Sequence, residues 1–364
     1  MVLPSLLRRS GFEDLEGWAS DAVVDAWPAF VRSARHAAAR PYKTGSFGVE
    51  ASALARTLDG LDDRSILDAA SARRFFEQHF VPCMVEAPDE PGFVTGFYEP
   101  VVEASPVRTE RFTVPLFGIP DDLVKIDDAN RPSGLDPYLA FGRDSPEGIV
   151  EYPDRAAIEN GAIDGRASAL AWLADPVDAF FIHVQGAARL LFPDASELAV
   201  TYAAKSGQRF TGPGHVLAGL GEIPREQVTM QSIRAWFRAN PHRTDEILYH
   251  NRSYIFFRAA PVEERDLGPI AAAKVQLTPG RSLAVDRLHH TFGTPVFVQA
   301  PGLTAVDGRP FARLMIAQDT GSAIVGPSRG DIFTGSGDAA GKIAGVIRSP
   351  ATFHVLVPRV LAEA

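Results

Sequence analysis

The chain has 364 residues, 46% hydrophobic and 22% charged, with a formal net charge of -9. That length fits two domains, or one large domain with an insertion, and leaves ample apolar material for a core. The negative balance and the lack of a Lys/Arg cluster exclude nucleic acid as the main ligand, while Cys83, the only cysteine, excludes an intramolecular disulfide and a zinc–thiolate site.

The apolar stretch inside Met1 to Arg9 is too short for a signal-peptide core, and its charges follow rather than precede it. No lipid-acceptor cysteine lies near the start, and no run of about 18 apolar residues occurs. Either an export signal is missing from this chain or the protein is not exported. The first eighty residues read as helical. Trp18, Ala22, Val23, Ala26, Trp27, Phe30 and Val31 recur at helical spacing. A second helix is expected over Phe47 to Leu58 and a third from about Arg64 to Phe80, capped by Asp62 or Asp63. Cys83 reads as a buried small apolar residue.

From Pro91 onward glycine, proline and β-branched residues dominate. Strands are expected at Phe93–Tyr98, Ala179–Val184, Tyr254–Phe257, Pro295–Val298, Leu314–Ala317 and Phe353–Val357. One helix interrupts them, Met230 to Phe237, with Thr229 as N-cap and Asn240-Pro241 as its end. Segments near Asp121 to Gly134 and Lys205 to Gly214 read as surface loops. The pattern is a helical lead-in followed by mostly β structure with barrel topology.

Chemistry concentrates in the last hundred residues, where Asp286, Asp319, Asp331 and Asp338 each sit among glycines or at a strand end. Turn or helix capping is the bland explanation for each, and Asp338, before Ala339-Ala340-Gly341, looks most like a cap. Asp331 fits that role least, because it precedes Ile332-Phe333. A carboxyl pressed against apolar groups disfavours its charged form and holds its proton to higher pH. Paired acids suggest a glycosidase, a carboxylate metal site or an aspartic-protease dyad. Asp319-Thr320-Gly321 has the protease signature, but the second copy it needs is not evident. No calcium-loop spacing occurs. His289-His290 lacks a third ligand, no Gly-x-Ser-x-Gly elbow is present, and Thr211-Gly-Pro-Gly214 lacks the lysine of a phosphate loop. His183, among apolar neighbours, reads as structural, and Trp236, at helical spacing with Ile233 and Phe237, reads as core.

Several segments in order from about residue 90 resemble the membrane-bound lytic murein transglycosylase A family, with its C-terminal three-aspartate (3D) domain. They are Thr95-Gly96-Phe97-Tyr98-Glu99-Pro100, Phe181–Gly186, Tyr202–Gly207, Met230–Ile233, Asn251–Phe257, Leu277–Asp286, and Ala317–Gly321 continuing through Asp331-Ile332-Phe333 to Gly335-Ser336-Gly337. The resemblance implies a mainly β fold with an α-helical N-terminal part. Its double-psi β-barrel domain would be built from residues 1–100 and 235–364, with a smaller β-domain inserted at 101–234 and a groove between them. It implies an exo-acting lyase (EC 4.2.2 type) that cleaves the β-1,4 bond between N-acetylmuramic acid and N-acetylglucosamine and leaves a 1,6-anhydro end.

The same resemblance places the catalytic acid on Asp331 and an assisting aspartate on Asp319. It offers Tyr98, Gln185 and Lys205 as substrate-binding residues, with Thr95 and Ser322 as weaker choices; for the first three, structural roles weigh equally. Asp338 varies toward other acids in the family. No cofactor and no metal are implied. The expected partner is the peptidoglycan glycan strand, acted on by a monomer in the cell envelope or periplasm, with outer-membrane association and membership of a wall-synthesis or hydrolysis complex left open. One acid suffices physically: it protonates the glycosidic oxygen, and the sugar's own C6 hydroxyl then attacks at high effective concentration. A hydrolase on the same fold, with Asp319 activating water, and a non-catalytic peptidoglycan-binding module are the alternatives.

Overall fold

The computed structural model describes residues 4–61, 68–87, 91–262 and 264–363; the cap expected at Asp62 or Asp63 lies outside them. The chain divides into two compact units, Met1–Tyr98 with Glu264–Ala364, and Glu99–Glu263.

The first unit begins with short helical turns at Trp18–Ser20 and Val23–Ala26, which lead into the helix Trp27–Ala39. Pro28 fits that helix's first turn because no intrahelical partner is needed there. The helix Ala51–Arg56 covers the middle of the expected 47–58 segment. The third helix, Ala69–His79, is capped by Asp68, whose carboxylate accepts from the Ser71 N–H at 2.7 Å. Trp27 and Phe30 meet Phe75, Phe76 and Phe80 in edge-on and tilted pairs. Each such aromatic, once buried, contributes about 1.5–3 kcal/mol.

These helices pack on a nine-stranded sheet. Its order is Leu7–Arg9, Phe80–Val85, Thr352–Pro358, Pro295–Ala300, Phe311–Asp319, Ser282–Val285, Arg329–Ser336, Phe93–Glu99 and Arg348–Pro350. Cys83 is buried in the second of these strands, as its apolar neighbours suggested. Two polar clamps fix the centre of the sheet. Buried Arg281 pairs with Asp21 at 2.9 Å and donates to the Leu314 carbonyl, while Asp21 also accepts from the Leu314 N–H. Gln318 donates to the Ala29 carbonyl and the Ser33 hydroxyl of the first helix, and accepts from Ser282. Both clamps bond their buried polar atoms and so avoid the cost of leaving them unpaired.

The second unit holds a six-stranded sheet ordered Ile255–Ala260, Glu197–Lys205, Ala187–Leu191, Val101–Ser105, Ala169–Leu173 and Val114–Phe117. A three-stranded sheet of Leu123–Lys125, Phe141–Ser145 and Gly148–Val150 accompanies it. This unit runs past the expected return at residue 235. Ile233, Trp236 and Phe237 of the helix Met230–Ala239 pack with Phe180, Phe181 and Leu217, and Ile255–Ala260 pairs with Glu197–Lys205. The helix itself has the expected ends, with Thr229 accepting from the Ser232 N–H and Asn240 closing it.

One expected strand is a helix. Ala179–Val184 lies inside the helix Pro176–Gln185. Asp175 caps it by accepting from the Val177 N–H, proline occupies its first position, and Gly186 ends it at φ 74, a backbone angle that glycine adopts without strain. His183 on this helix is buried, with Nδ1 2.9 Å from Arg155 and its ring edge-on to Tyr254. Its role is structural, as expected, but on a helix. With the helices Pro213–Gly219 and Thr244–Leu248 beside it, the inserted unit is mixed α/β rather than a β-domain. The architecture as a whole is mixed α/β with several sheets and a helical N-terminal part.

Candidate active site

The two acids singled out by sequence meet across one strand. Ser282–Val285 pairs in parallel with Phe311–Asp319 and antiparallel with Arg329–Ser336. Ala284 is the register partner of Asp319 on one side and of Asp331 on the other. On the Asp319 side the register shifts by one residue between Leu283 and Ala284, so a bulge at Gln318 brings Asp319 opposite Ala284. With neighbouring strands about 4.8 Å apart, the two aspartate Cα atoms stand about 10 Å apart.

Alternation sorts the surroundings of the acids. Leu283, Val285, Ile332 and Val94 enter the main core, while Ala284, Phe97 and Phe333 form a separate apolar cluster with Leu277. Phe97 and Phe333 lie two residues beyond Thr95 and Asp331 on their strands, so they share the acids' face. Their rings are 5.2 Å apart and make an apolar floor beside the carboxyl groups.

Both acids are half-buried by surface area. Burial pushes Asp331 up to about 6, and the negative charge of Asp319 adds to that rise. The hydrogen bond from Thr95 and the nearby Arg329 charge oppose it. Thr95 Oγ1 donates to Asp331 Oδ1 at 2.5 Å. Asp319 is likewise held at about 6 by burial, against backbone hydrogen bonds from Thr320 and Ala272 and the charge of Lys274. Its Oδ1 accepts from the Ala272 N–H at 3.2 Å. Gln318, one residue earlier, projects to the other face and anchors this strand to the first helix.

The other acids take structural places. Asp286 is buried and accepts from the N–H groups of Leu288 and Gly326, tying two loops together. Asp338 sits in the first turn of the helix Gly337–Ala344, whose N-cap is Ser336 rather than Asp338 as expected. A carboxylate in that turn favours the positive end of the helix dipole. Among the described residues no group of three His, Cys, Asp or Glu could hold a metal ion.

Of the expected substrate-binding residues, Thr95 is in direct contact with Asp331. Tyr98 lies on the opposite face of the same strand, with 6% of its surface exposed and its ring against Gly341. Ser322 is exposed in the turn after Asp319 that Ile324 closes by donating to Gly321. Gln185 and Lys205 belong to the second unit, at the ends of Pro176–Gln185 and Glu197–Lys205. The Lys205 ammonium lies 5.4 Å from the Tyr138 ring, and burial lowers its pKa. Sequence reasoning passed over Arg329, which donates to Thr95 at 2.7 Å.

Residues 93–258 match the MltA specific insert domain, and residues 281–357 match the 3D domain. A crystal structure of a membrane-bound lytic murein transglycosylase from Agrobacterium tumefaciens is 48% identical, with a TM-score of 0.91, covering 98% of this chain and 99% of that one. The chain belongs to the MltA family. MltA from Neisseria gonorrhoeae, in its monoclinic form, aligns at 32% identity with a TM-score of 0.77, over 97% of this chain and 92% of that one. Membrane-bound lytic murein transglycosylase A of Vibrio cholerae serotype O1 is 31% identical over 259 residues, which are 69% of this chain and 61% of that protein. This chain therefore spans about three-fifths of the length of the curated MltA relatives it matches. The 3D-domain match contains Asp319 and Asp331, and the insert match begins at Phe93 and so takes in Thr95. Those relatives are named as membrane-bound; here no helix among the described residues is long and apolar enough to cross a membrane.

Proposed function

We propose that this protein is a lytic transglycosylase, cleaving the β-1,4 bond between N-acetylmuramic acid and N-acetylglucosamine in peptidoglycan by exo-acting attack, with Asp331 as its single acid and then base. The observation that carries the reading is the burial of Asp331 beside the Phe97–Phe333 floor, which holds its carboxyl up at about 6. Membership of the MltA family supports the substrate.

In the first step the Asp331 proton passes to the glycosidic oxygen as the bond to the anomeric carbon breaks. The positive charge that develops on the sugar ring is stabilised by the Asp319 carboxylate. Asp331, now ionised, takes the proton from the C6 hydroxyl as that oxygen closes on the anomeric carbon. The 1,6-anhydro ring forms without water and Asp331 recovers its proton. An intramolecular hydroxyl has a high effective concentration, so no second carboxylate is needed to prepare a nucleophile.

The two acids flanking Ala284 favour one rival, a hydrolase in which Asp319 activates water. That mechanism needs one protonated and one ionised carboxyl, with environments that separate their pKa values. The single-acid scheme uses an ionised Asp319 as well, and burial raises both acids; what favours it over the hydrolase is that the sugar's own C6 hydroxyl supplies the nucleophile. Gln185, Lys205 and Ser322 are proposed to contact the glycan strand. The sheet of the first unit, with its one parallel pairing beside antiparallel ones, is proposed to close as a double-psi barrel. A periplasmic site of action follows from the substrate. Clearing of purified sacculi by wild type, lost in Asp331→Ala while glycan binding persists, is the expected result. Equal clearing by both proteins removes Asp331 from the chemistry, and no clearing by wild type removes the enzyme readings altogether.

A further inference from the structure

We propose that Arg329 is a positioning residue that acts through Thr95 to fix which oxygen of Asp331 carries the proton. The inference rests on the transglycosylase reading and adds a device to the same site. The guanidinium of Arg329 donates through Nη2 to Thr95 Oγ1 at 2.7 Å, donates through Nη1 to the Gly330 carbonyl, and lies over the Phe93 ring at 5.8 Å. Among the described residues it has no carboxylate within ion-pair distance, although burial disfavours its charge. A half-buried, always charged group usually finds an acid partner. This one is turned onto a threonine hydroxyl.

The hydroxyl has one proton. Because it accepts from Arg329, its own hydrogen is directed to its other partner, Asp331 Oδ1 at 2.5 Å. An oxygen that accepts that bond is the poorer place for the carboxyl's own proton. The acidic hydrogen is therefore held on Oδ2, the oxygen left for the glycosidic bond, and the C6 proton returns to the same place. The interposed hydroxyl has a second consequence. Direct Arg–Asp contact would favour the ionised carboxylate by about 1–3 pH units and remove the acid. Thr95 keeps the cation one hydrogen bond away, orienting the carboxyl without discharging it.

The groups facing Asp331 are Arg329 on its own strand, Thr95 from Phe93–Glu99, and Asp319 across Ser282–Val285, itself faced by Lys274. Removing the cation or the hydroxyl donor should move the pKa of Asp331 the same way, upward. The test uses Arg329→Gln, Arg329→Lys, Thr95→Val and Thr95→Ser, with kcat and KM on soluble glycan strands across pH and 13C-aspartate titration of each protein. The glutamine and valine variants should lose about 10–100-fold in kcat with KM within about twofold, and the basic limb should move to higher pH by about 0.5–1. Lysine and serine should restore much of the rate, and the double variant should fall short of the product of the two single losses. Glutamine and valine variants with wild-type kcat and an unmoved Asp331 titration would overturn the proposal, as would a loss confined to KM. The titration needs no turnover, so it judges Arg329 even if wild type proves inactive on glycan.

Discussion

Replacing Asp331 with asparagine should stabilise the protein above neutral pH and change nothing at pH 4. An aspartate carboxyl raised from 3.8 to about 6 binds its proton more tightly folded than unfolded. The sign follows from linkage: stability falls as pH rises from about 4 to about 6, then stays lowered while the buried carboxyl is ionised. A tenfold difference in proton affinity between the folded and unfolded chain corresponds to about 1.4 kcal/mol, so the full penalty is about 3 kcal/mol. Partial exposure of the side chain brings the expected gain to about 1–3 kcal/mol. Asparagine mimics the protonated acid, and its carbonyl still accepts from Thr95. Thermal unfolding of wild type and Asp331→Asn at pH 4 and pH 8 gives the comparison, with about 2–4 °C expected per kcal/mol. A gain of equal size at both pH values, or a less stable variant at pH 8, would refute the burial of an ionised carboxylate as the cause.

Asp319→Asn removes the neighbouring negative charge that helps raise Asp331, so the basic limb of the pH–rate profile should move downward and kcat should fall; an upward move contradicts the pairing. Gln318→Ala strips the bonds to Ala29, Ser33 and Ser282, leaving buried polar atoms unpaired at about 1–3 kcal/mol each, which chemical denaturation would register as a lower midpoint. Gly341→Ala sets a methyl 2.8 Å from the Tyr98 ring and should cost about 1–3 kcal/mol by overpacking, visible as a lower Tm with the pH profile unmoved.

Local signals in the sequence carried much of this structure. The Thr229 cap and Asn240 stop marked the Met230–Ala239 helix because a cap and its target are three residues apart. The core strands were legible from short β-branched and aromatic runs. Phe180-Phe181-Ile182 misled because an apolar run of that length has no diagnostic period; Asp175-Pro176 before it and Gly186 after it were the helix signals that decide the matter. Asp331 and Asp319 stood out through glycine context and family resemblance. Arg329 did not, since its meaning comes from Thr95, which lies 234 residues away in sequence and meets it only once the sheet has formed. Ala284 was equally silent: only strand register sets it between two acids.

The most direct measurement digests purified sacculi in water enriched in oxygen-18 and weighs the released muropeptides by mass spectrometry. Internal attack by the C6 hydroxyl predicts ends lighter by one water and free of the heavy isotope. Reducing ends carrying oxygen-18 would instead mean that water attacks, and the single-acid mechanism at Asp331 would be wrong.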